Sequence, residues 1–167
     1  DVLYQKQTSL AVENFAIGGQ PMPSGFIHAL GFVKAACASV NKELGLLDDK
    51  RAEAIWQAAT EVANGEHDDA FPVDIYQTGS GTSTNMNANE VIASLASRAS
   101  GLEIHPNDHV NMGQSSNDVI PTTIHVSTMM ASHSSLLPAL KALADTIKKK
   151  MSDAEGLIKT RRTHLMD

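Results

Sequence analysis

From Phe26 to Leu44 an apolar side chain returns to one face every three or four positions: Phe26, Ile27, Leu30, Phe32, Val33, Ala36, Cys37, Val40 and Leu44. That spacing predicts an amphipathic helix over residues 26–44, with Ser24 placed to cap its start and Gly45 to stop it. A second helix is predicted over residues 48–63. Asp48 and Asp49 sit in its first turn, Ile55, Ala59 and Val62 line one side, Asn64-Gly65 ends it, and Trp56 is expected in the core. A third is expected to start near Asn85, capped by Thr82, Ser83 or Thr84 and continued by Asn87, Glu90, Val91 and Leu95. A fourth is expected just after Asn117-Asp118, with Pro121 tolerated in its first turn, and to run on through Ile124, Val126, Met129 and Met130. Pro138 predicts a kink or break, after which Leu140, Leu143, Ile147 and Met151 resume helical spacing as far as Gly156. Only residues 72–77 carry a short alternating run of the kind a strand shows, so the fold class is mostly α. Residues 18–23, 65–72 and 101–106 read as linkers.

Composition narrows the function. The 167 residues are 42% hydrophobic, 19% charged and 4% aromatic, with 13 Lys+Arg against 19 Asp+Glu and a net charge of −6. With no basic run beyond residues 148–150, there is no broad positive face for phosphates, which argues against nucleic acid as a partner. Cys37 is the single cysteine, so neither an intrachain disulfide nor a thiolate metal cage can form. No apolar stretch reaches the roughly 18 residues of a membrane span, and the expected location is the cytoplasm. The chain begins without Met and stops at Thr163-His164-Leu165-Met166-Asp167, directly after a promising polar cluster, and so reads as a piece of a longer protein.

Four polar clusters can carry chemistry. The densest is Thr78-Gly79-Ser80-Gly81-Thr82-Ser83-Thr84-Asn85-Met86-Asn87, a glycine-relaxed loop entering a helix. Its N–H groups and the hydroxyls of Ser80 and Thr82 would stand at the positive end of the helix dipole, where a carboxylate is favoured; a simple capping loop uses the same residue types. It is not a P-loop, since Thr82 stands where the lysine would follow the last glycine. The second, His105-Pro106-Asn107-Asp108-His109-Val110-Asn111, spaces two histidines as if on one helical face and admits a metal, although a turn held by its own polar side chains fits Pro106 and Asn107 better. The third, Gln114-Ser115-Ser116-Asn117-Asp118, again offers donors at a helix start, either as a second cap or as the grip for the other end of a small dianion. In the fourth, Lys159-Thr160-Arg161-Arg162-Thr163-His164, His164 is a candidate acid/base group.

Taken in order, Gly79-Ser80-Gly81-Thr82 with Asn85-Met86-Asn87 and Asn89-Glu90-Val91, the His105–Asn111 cluster, Gln114-Ser115-Ser116-Asn117-Asp118 and Arg162-Thr163-His164-Leu165 resemble class II, iron-independent fumarase of the fumarase/aspartase superfamily. Gln7-Thr8 and Val12-Glu13-Asn14-Phe15 are similar to that family's N-terminal region. The resemblance covers essentially the whole chain. It implies a mostly α fold: an N-terminal lyase domain over residues 1–115, and over residues 116–167 the first helices of a central helical bundle.

The resemblance further implies fumarate hydratase activity, the reversible hydration of fumarate to L-malate in the tricarboxylic acid cycle, by a homotetramer whose sites each take one region from three subunits. Carried over by position, Ser80, Gly81, Thr82, Ser115, Ser116, Asn117 and Thr163 would bind the dicarboxylate, and His164 would be the acid/base histidine. His105, Pro106, Asn107 and Asp108 would form a secondary dicarboxylate site. No cofactor and no metal is implied: donors aimed at the carboxylate stabilise the aci-carboxylate formed on proton removal, and a neutral imidazole moves the other proton.

Several positions depart from the family. Its flexible Ser-Ser loop, with the catalytic base serine and a Lys-Asn pair, belongs to a later stretch than this chain holds, so the isolated chain is expected to be inactive. Arg161 stands where glycine usually precedes the Arg-Thr-His motif, Gln5-Lys6 replace Gly-Ala, and Leu102-Glu103 replace an arginine of the secondary site, which is expected to weaken it. Two alternatives are an aspartate ammonia-lyase of the same superfamily, against which Ser80 and Ser116 argue, and a non-catalytic helical oligomerisation module associating through the apolar faces of residues 119–157.

Overall fold

The computed structural model describes residues 2–158 and 164. Six α-helices follow in order: α1 (Lys6–Asn14), α2 (Ser24–Glu43), α3 (Asp49–Ala63), α4 (Thr82–Ser100), α5 (Ser116–Ala131) and α6 (Leu137–Asp153). A 3-10 turn (Asp68–Ala70) and two π-helical turns (Pro106–Val110 and Ser132–Leu136) lie between them. The run at residues 72–77 makes only an isolated bridge between Pro21 and Asp74, and the described residues contain no strand. Asp74 instead anchors the Gly18–Gly19 loop, accepting from both backbone N–H groups at 2.7 Å and from Tyr76 N at 2.9 Å. These backbone donors, Tyr76 first, hold its carboxyl below the usual carboxylate range. Packing divides the chain into two compact units, Asp1–Thr128 and Met129–Asp167.

In the first unit, α2 and α3 form an antiparallel hairpin whose contact is built from small residues. Ala52, Ala58, Ala59 and Ala63 of α3 are buried, and Gly31 of α2 lies so close that an added Cβ would stand 2.6 Å from Ala63 N. Ile27, Leu30, Ile55, Val62, Val91 and Ile92 fill the space between these helices and α4.

The periodicity of α2 is as predicted and Phe26, Ile27 and Leu30 are buried, but beyond them the phase differs. Phe32 is 45% exposed and Val40 51%, while Ala36 and Leu44 also face outward. The inward face runs Ile27, Leu30, Gly31, Lys34, Ala38 and Asn41, at the same three-to-four spacing but through two polar residues. Trp56, expected in the core, is 43% exposed, because α3 turns its alanines toward α2 and leaves the indole on the outside. Helix starts also differ. Ser24 is the first residue of α2 rather than its cap, which is Pro23 with no side-chain bond, whereas Asp48 does cap α3, accepting from Arg51 N at 3.1 Å.

α1 had no hydrophobic signature. Its buried residues are Thr8 and Ala11, and it has neither a side-chain cap of its own nor an acidic residue in its first turn. The acceptor is supplied from α4: the Glu90 carboxylate, 2% exposed, takes hydrogen bonds from Gln5 N (2.9 Å), Gln7 N (2.9 Å), Thr8 N (3.1 Å) and Thr8 Oγ1 (2.6 Å). These are the donors a helix N-terminus leaves open.

In the second unit, helicity is interrupted before the proline rather than at it. The π turn Ser132–Leu136 takes up the irregularity, α6 begins at Leu137 with Pro138 in its first turn, and it ends at Asp153. Leu140, Leu143, Ile147 and Met151 are exposed along α6. No helix among the described residues is long and apolar enough to cross a membrane.

Candidate functional site

The loop before α4 turns at Gly81, whose backbone is left-handed (φ +69°) and whose N–H closes back onto Thr78 O at 2.9 Å. α4 therefore starts at Thr82, earlier than expected, and Thr82, Ser83 and Thr84 lie inside it instead of capping it. The side chain that serves the helix start is Gln77. Its Oε1 accepts from Thr84 N at 2.8 Å, and its Nε2 donates to Thr84 Oγ1 at 2.6 Å and to Asp74 O at 3.0 Å. This leaves the two hydroxyls of interest outside the capping scheme. Among the described residues Ser80 Oγ and Thr82 Oγ1 pair with each other at 2.9 Å, and both residues are exposed.

α5 also starts earlier than expected, at Ser116, so Asn117 and Asp118 belong to its first turn and Pro121 lies beyond that turn. Ser115 is the cap: its carbonyl accepts from Asp118 N (3.0 Å) and Val119 N (2.9 Å), and its Oγ accepts from Asn117 N (3.2 Å). Ser115 and Asn117 are exposed and Ser116 is half-buried.

The fold brings these two helix starts together. Asn85, one turn into α4, donates from Nδ2 to Ser116 Oγ at 3.1 Å and to Asn111 Oδ1 at 3.2 Å. Gly81 packs on the Ile120 side chain of α5, with three Ile120 carbons 3.0 to 3.1 Å from where a Cβ would stand. Ser80, Gly81 and Thr82 thus adjoin Ser115, Ser116 and Asn117 on one surface. Two N-terminal dipoles and a set of hydroxyl and amide donors converge there, which suits an anion with more than one carboxylate. A cavity of about 560 Å³ elsewhere, lined by Lys42, Asp49, Glu53 and Leu102 among others, contains none of these donors.

Gly81→Ala is expected to destabilise the protein by about 1–3 kcal/mol, because the left-handed backbone disfavours a Cβ and Ile120 occupies its place. Chemical denaturation followed by circular dichroism checks this; an unchanged midpoint would count against the contact between loop and α5.

Beneath the site lies a buried polar network that hydrophobic pattern reading missed. Lys34 is 0% exposed, and its Nζ donates to Gln114 Oε1 (2.8 Å) and Asn111 Oδ1 (3.1 Å). Burial lowers its pKa from 10.5 to about 7, opposed by the nearby Cys37 thiol, whose own pKa burial raises. Gln114 Nε2 donates to Val110 O (2.9 Å), and Asn41 Nδ2 to Met112 O (3.0 Å). Among the described residues Asn85 Oδ1 is buried without a donor, as are the Oδ1 atoms of Asn87 and Asn89. The available signal for Lys34 was its position at helical spacing between Leu30 and Ala38.

The His105 cluster forms the π turn Pro106–Val110, not a regular helix with two histidines on one face. His105 Nδ1 accepts from Asn107 N (3.3 Å) and Asp108 N (3.2 Å), while His109 Nδ1 accepts from His105 N (2.8 Å). Each imidazole thus spends a nitrogen lone pair on the turn's own backbone. Pro106 is buried and His105, Asn107 and Asp108 are exposed. His164 is exposed in the second unit, whereas Thr163 lies outside the described residues, as do Arg161 and Arg162.

The lyase family matches residues 1–167. The class II fumarate hydratase of Xylella fastidiosa (strain Temecula1) is 61% identical over 167 residues, covering 100% of this chain and 35% of that protein. That of Corynebacterium glutamicum is 55% identical over 165 residues, covering 99% and 35%. Among solved structures, a class II fumarase from Schistosoma mansoni superposes with a TM-score of 0.94 at 41% identity, covering 99% of this chain and 36% of that one. A fumarate lyase:delta crystallin from Brucella melitensis superposes at 0.93 with 37% identity, covering 100% and 40%. The chain spans about a third of the length of the curated relatives it matches. Matched along its full length, and sharing their fold at high identity, it belongs to the lyase family alongside the class II fumarases.

Proposed function

We propose that this chain is the N-terminal part of a fumarate hydratase, catalysing the reversible hydration of fumarate to L-malate. The observation that carries the reading is the convergence of the α4 and α5 starts through the Asn85–Ser116 hydrogen bond of 3.1 Å. In this reading Ser80, Gly81 and Thr82 bind one carboxylate. Ser115, Ser116 and Asn117 bind from the second region, while Thr163 contacts substrate next to the acid/base group His164, that pair being contributed by another subunit. Donors preset at helix N-termini stabilise the aci-carboxylate dianion more than the substrate, because the extra negative charge develops where they already point. A histidine imidazole in that place exchanges a proton with the hydroxyl or water.

The exposure of Ser80, Thr82, Ser115 and Asn117 supports a site whose remaining walls come from further segments and from other subunits of a homotetramer. Residues 1–115 then form the N-terminal domain and residues 116–167 the start of the central bundle, where the exposed Leu140, Leu143, Ile147 and Met151 find partners. The protein works in the cytoplasm, within the tricarboxylic acid cycle, without nucleic acid or membrane as partner. The turn at His105, Pro106, Asn107 and Asp108 serves as a secondary dicarboxylate site, its exposed Asn107 and Asp108 beside a proline-held backbone.

The test supplies L-malate and follows fumarate absorbance, with the complete gene product and with residues 1–167 alone. Turnover by the complete protein and none by the isolated chain is expected. Sustained turnover by the isolated chain would overturn the reading that further segments complete the site. Activity on aspartate but not malate would favour an ammonia-lyase, and failure of both substrates a non-catalytic oligomerisation module.

A further inference from the structure

We propose that Lys34 is a positioning residue of this site: from beneath, its amine orients the Asn111 and Gln114 side chains that, with Asn85, set where Ser116 presents its hydroxyl. This deepens the fumarate hydratase reading and rests on it.

An asparagine or glutamine side chain can turn either its oxygen or its nitrogen toward a neighbour, and the neighbour's hydrogen-bonding character decides which. Lys34 Nζ donates to Asn111 Oδ1 and Gln114 Oε1, at 3.1 and 2.8 Å, and so draws the oxygen of each inward. With Gln114 Oε1 inward, its Nε2 is turned to Val110 O and Met112 O, which pins the segment leading into α5. With Asn111 Oδ1 inward, the same oxygen also receives Asn85 Nδ2 at 3.2 Å, and the second hydrogen of that amide reaches Ser116 Oγ at 3.1 Å. Asn111 Nδ2 closes the circuit on Gln114 O at 3.1 Å. If the donor on α2 is removed, Gln114 Oε1 loses its donor and Asn111 Oδ1 keeps only Asn85 Nδ2, so the hold on both amides is weakened from the α2 side.

Packing does not require an amine at this position. Lys34 lies in a row with Leu30, Gly31 and Ala38 where an apolar side chain of similar length fits, and burial disfavours its charged form strongly enough to bring the pKa to about 7. Among the described residues its partners are two amide oxygens. Those match the two N–H bonds of a neutral amine, so every donor of the neutral form is used. Lys34 therefore sets the direction of its neighbours while contributing little that a methionine would not contribute to the core.

The test is Lys34→Met in the complete gene product, which keeps the stem and removes the donors. Expected are a rise in KM for L-malate of about tenfold or more with kcat changed by less than about threefold, and hydrogen exchange at residues 114–118 faster by about tenfold, with the melting temperature lowered by no more than about 5 °C. Unaltered KM and exchange in a folded variant would overturn the proposal. A fallen melting temperature with exchange accelerated evenly throughout the chain would also overturn it, leaving Lys34 a structural residue. If the unaltered protein does not act on malate, the hydratase reading fails, and the exchange measurement decides the positioning role by itself. Should Lys34→Met not fold, Lys34→Gln, which keeps an N–H donor at shorter reach, is expected to give the same local exchange and KM pattern at reduced size, and unaltered values in it would overturn the proposal.

Discussion

Replacing Glu90 by alanine is expected to lower stability by about 3–5 kcal/mol, the largest effect of any single substitution considered. The carboxylate is buried and accepts from three backbone N–H groups and one hydroxyl at the start of α1. Alanine leaves those donors without an acceptor and opens a cavity, and each unsatisfied buried donor costs about 1–3 kcal/mol. α1 has no alternative, since its own first turn offers neither a capping side chain nor an acidic residue. Glu90→Gln is expected to cost about half as much, because one amide oxygen still accepts while the amide nitrogen faces donors. Urea denaturation followed by circular dichroism measures both. An alanine variant within about 1 kcal/mol of the unaltered protein would show that α1 is not held by this carboxylate. Loss of the helical signal of α1 alone, with the α2–α4 core intact, would identify α1 as an independently opening segment.

Gly31→Ala is expected to be destabilising by about 2–3 kcal/mol despite the usual helical advantage of alanine, about 1 kcal/mol over glycine. The new Cβ would meet Ala63 N at 2.6 Å, Ala59 O at 2.8 Å and Ala63 Cα at 2.9 Å. All three atoms are backbone, so no side chain can rotate away, and α2 must move off α3. Gly25 is the matched control on the same helix: nothing lies within 4 Å of its added Cβ, and Gly25→Ala is expected to stabilise by up to about 0.5 kcal/mol. Equal behaviour of the two variants would mean that the α2–α3 contact is looser than the structure shows.

Both effects are invisible to a reading of hydrophobic pattern. Glu90 follows helical spacing in α4 and looks like an ordinary helix residue; only the approach of α1 makes it a cap across more than eighty positions of sequence. Gly31 looks like a weak point within a helix until Ala59 and Ala63 are placed against it. The same holds for α2 as a whole. Its apolar residues predicted its existence, its approximate ends and, in Phe26, Ile27 and Leu30, the start of its buried face, but continuing that face through Phe32, Val40 and Leu44 ignored Lys34 and Asn41, which turn inward because Asn111, Gln114 and the Met112 carbonyl wait for them. Trp56 failed for the complementary reason, as a large side chain excluded from a contact between small ones.

The candidate site was more legible. Ser80, Thr82, Ser115 and Asn117 were recognisable as donors at helix starts, because glycine, serine and asparagine act there through bonds to their immediate neighbours. Even so, the capping scheme differed. Gln77 serves α4 from outside the helix, and this leaves Ser80 and Thr82 at the surface.

By itself the sequence determined that α2 to α6 form and roughly where, which residue types stand at their amino ends, and which family those motifs resemble, since periodicity, capping and turn chemistry are settled within a few residues. Only the tertiary structure decided which face of α2 is buried, what caps α1, and that the α4 and α5 starts meet through Asn85 and Ser116. The physical reason is that a polar group can be buried only where a distant segment supplies its partner, and no local spacing in the chain records which segment that will be.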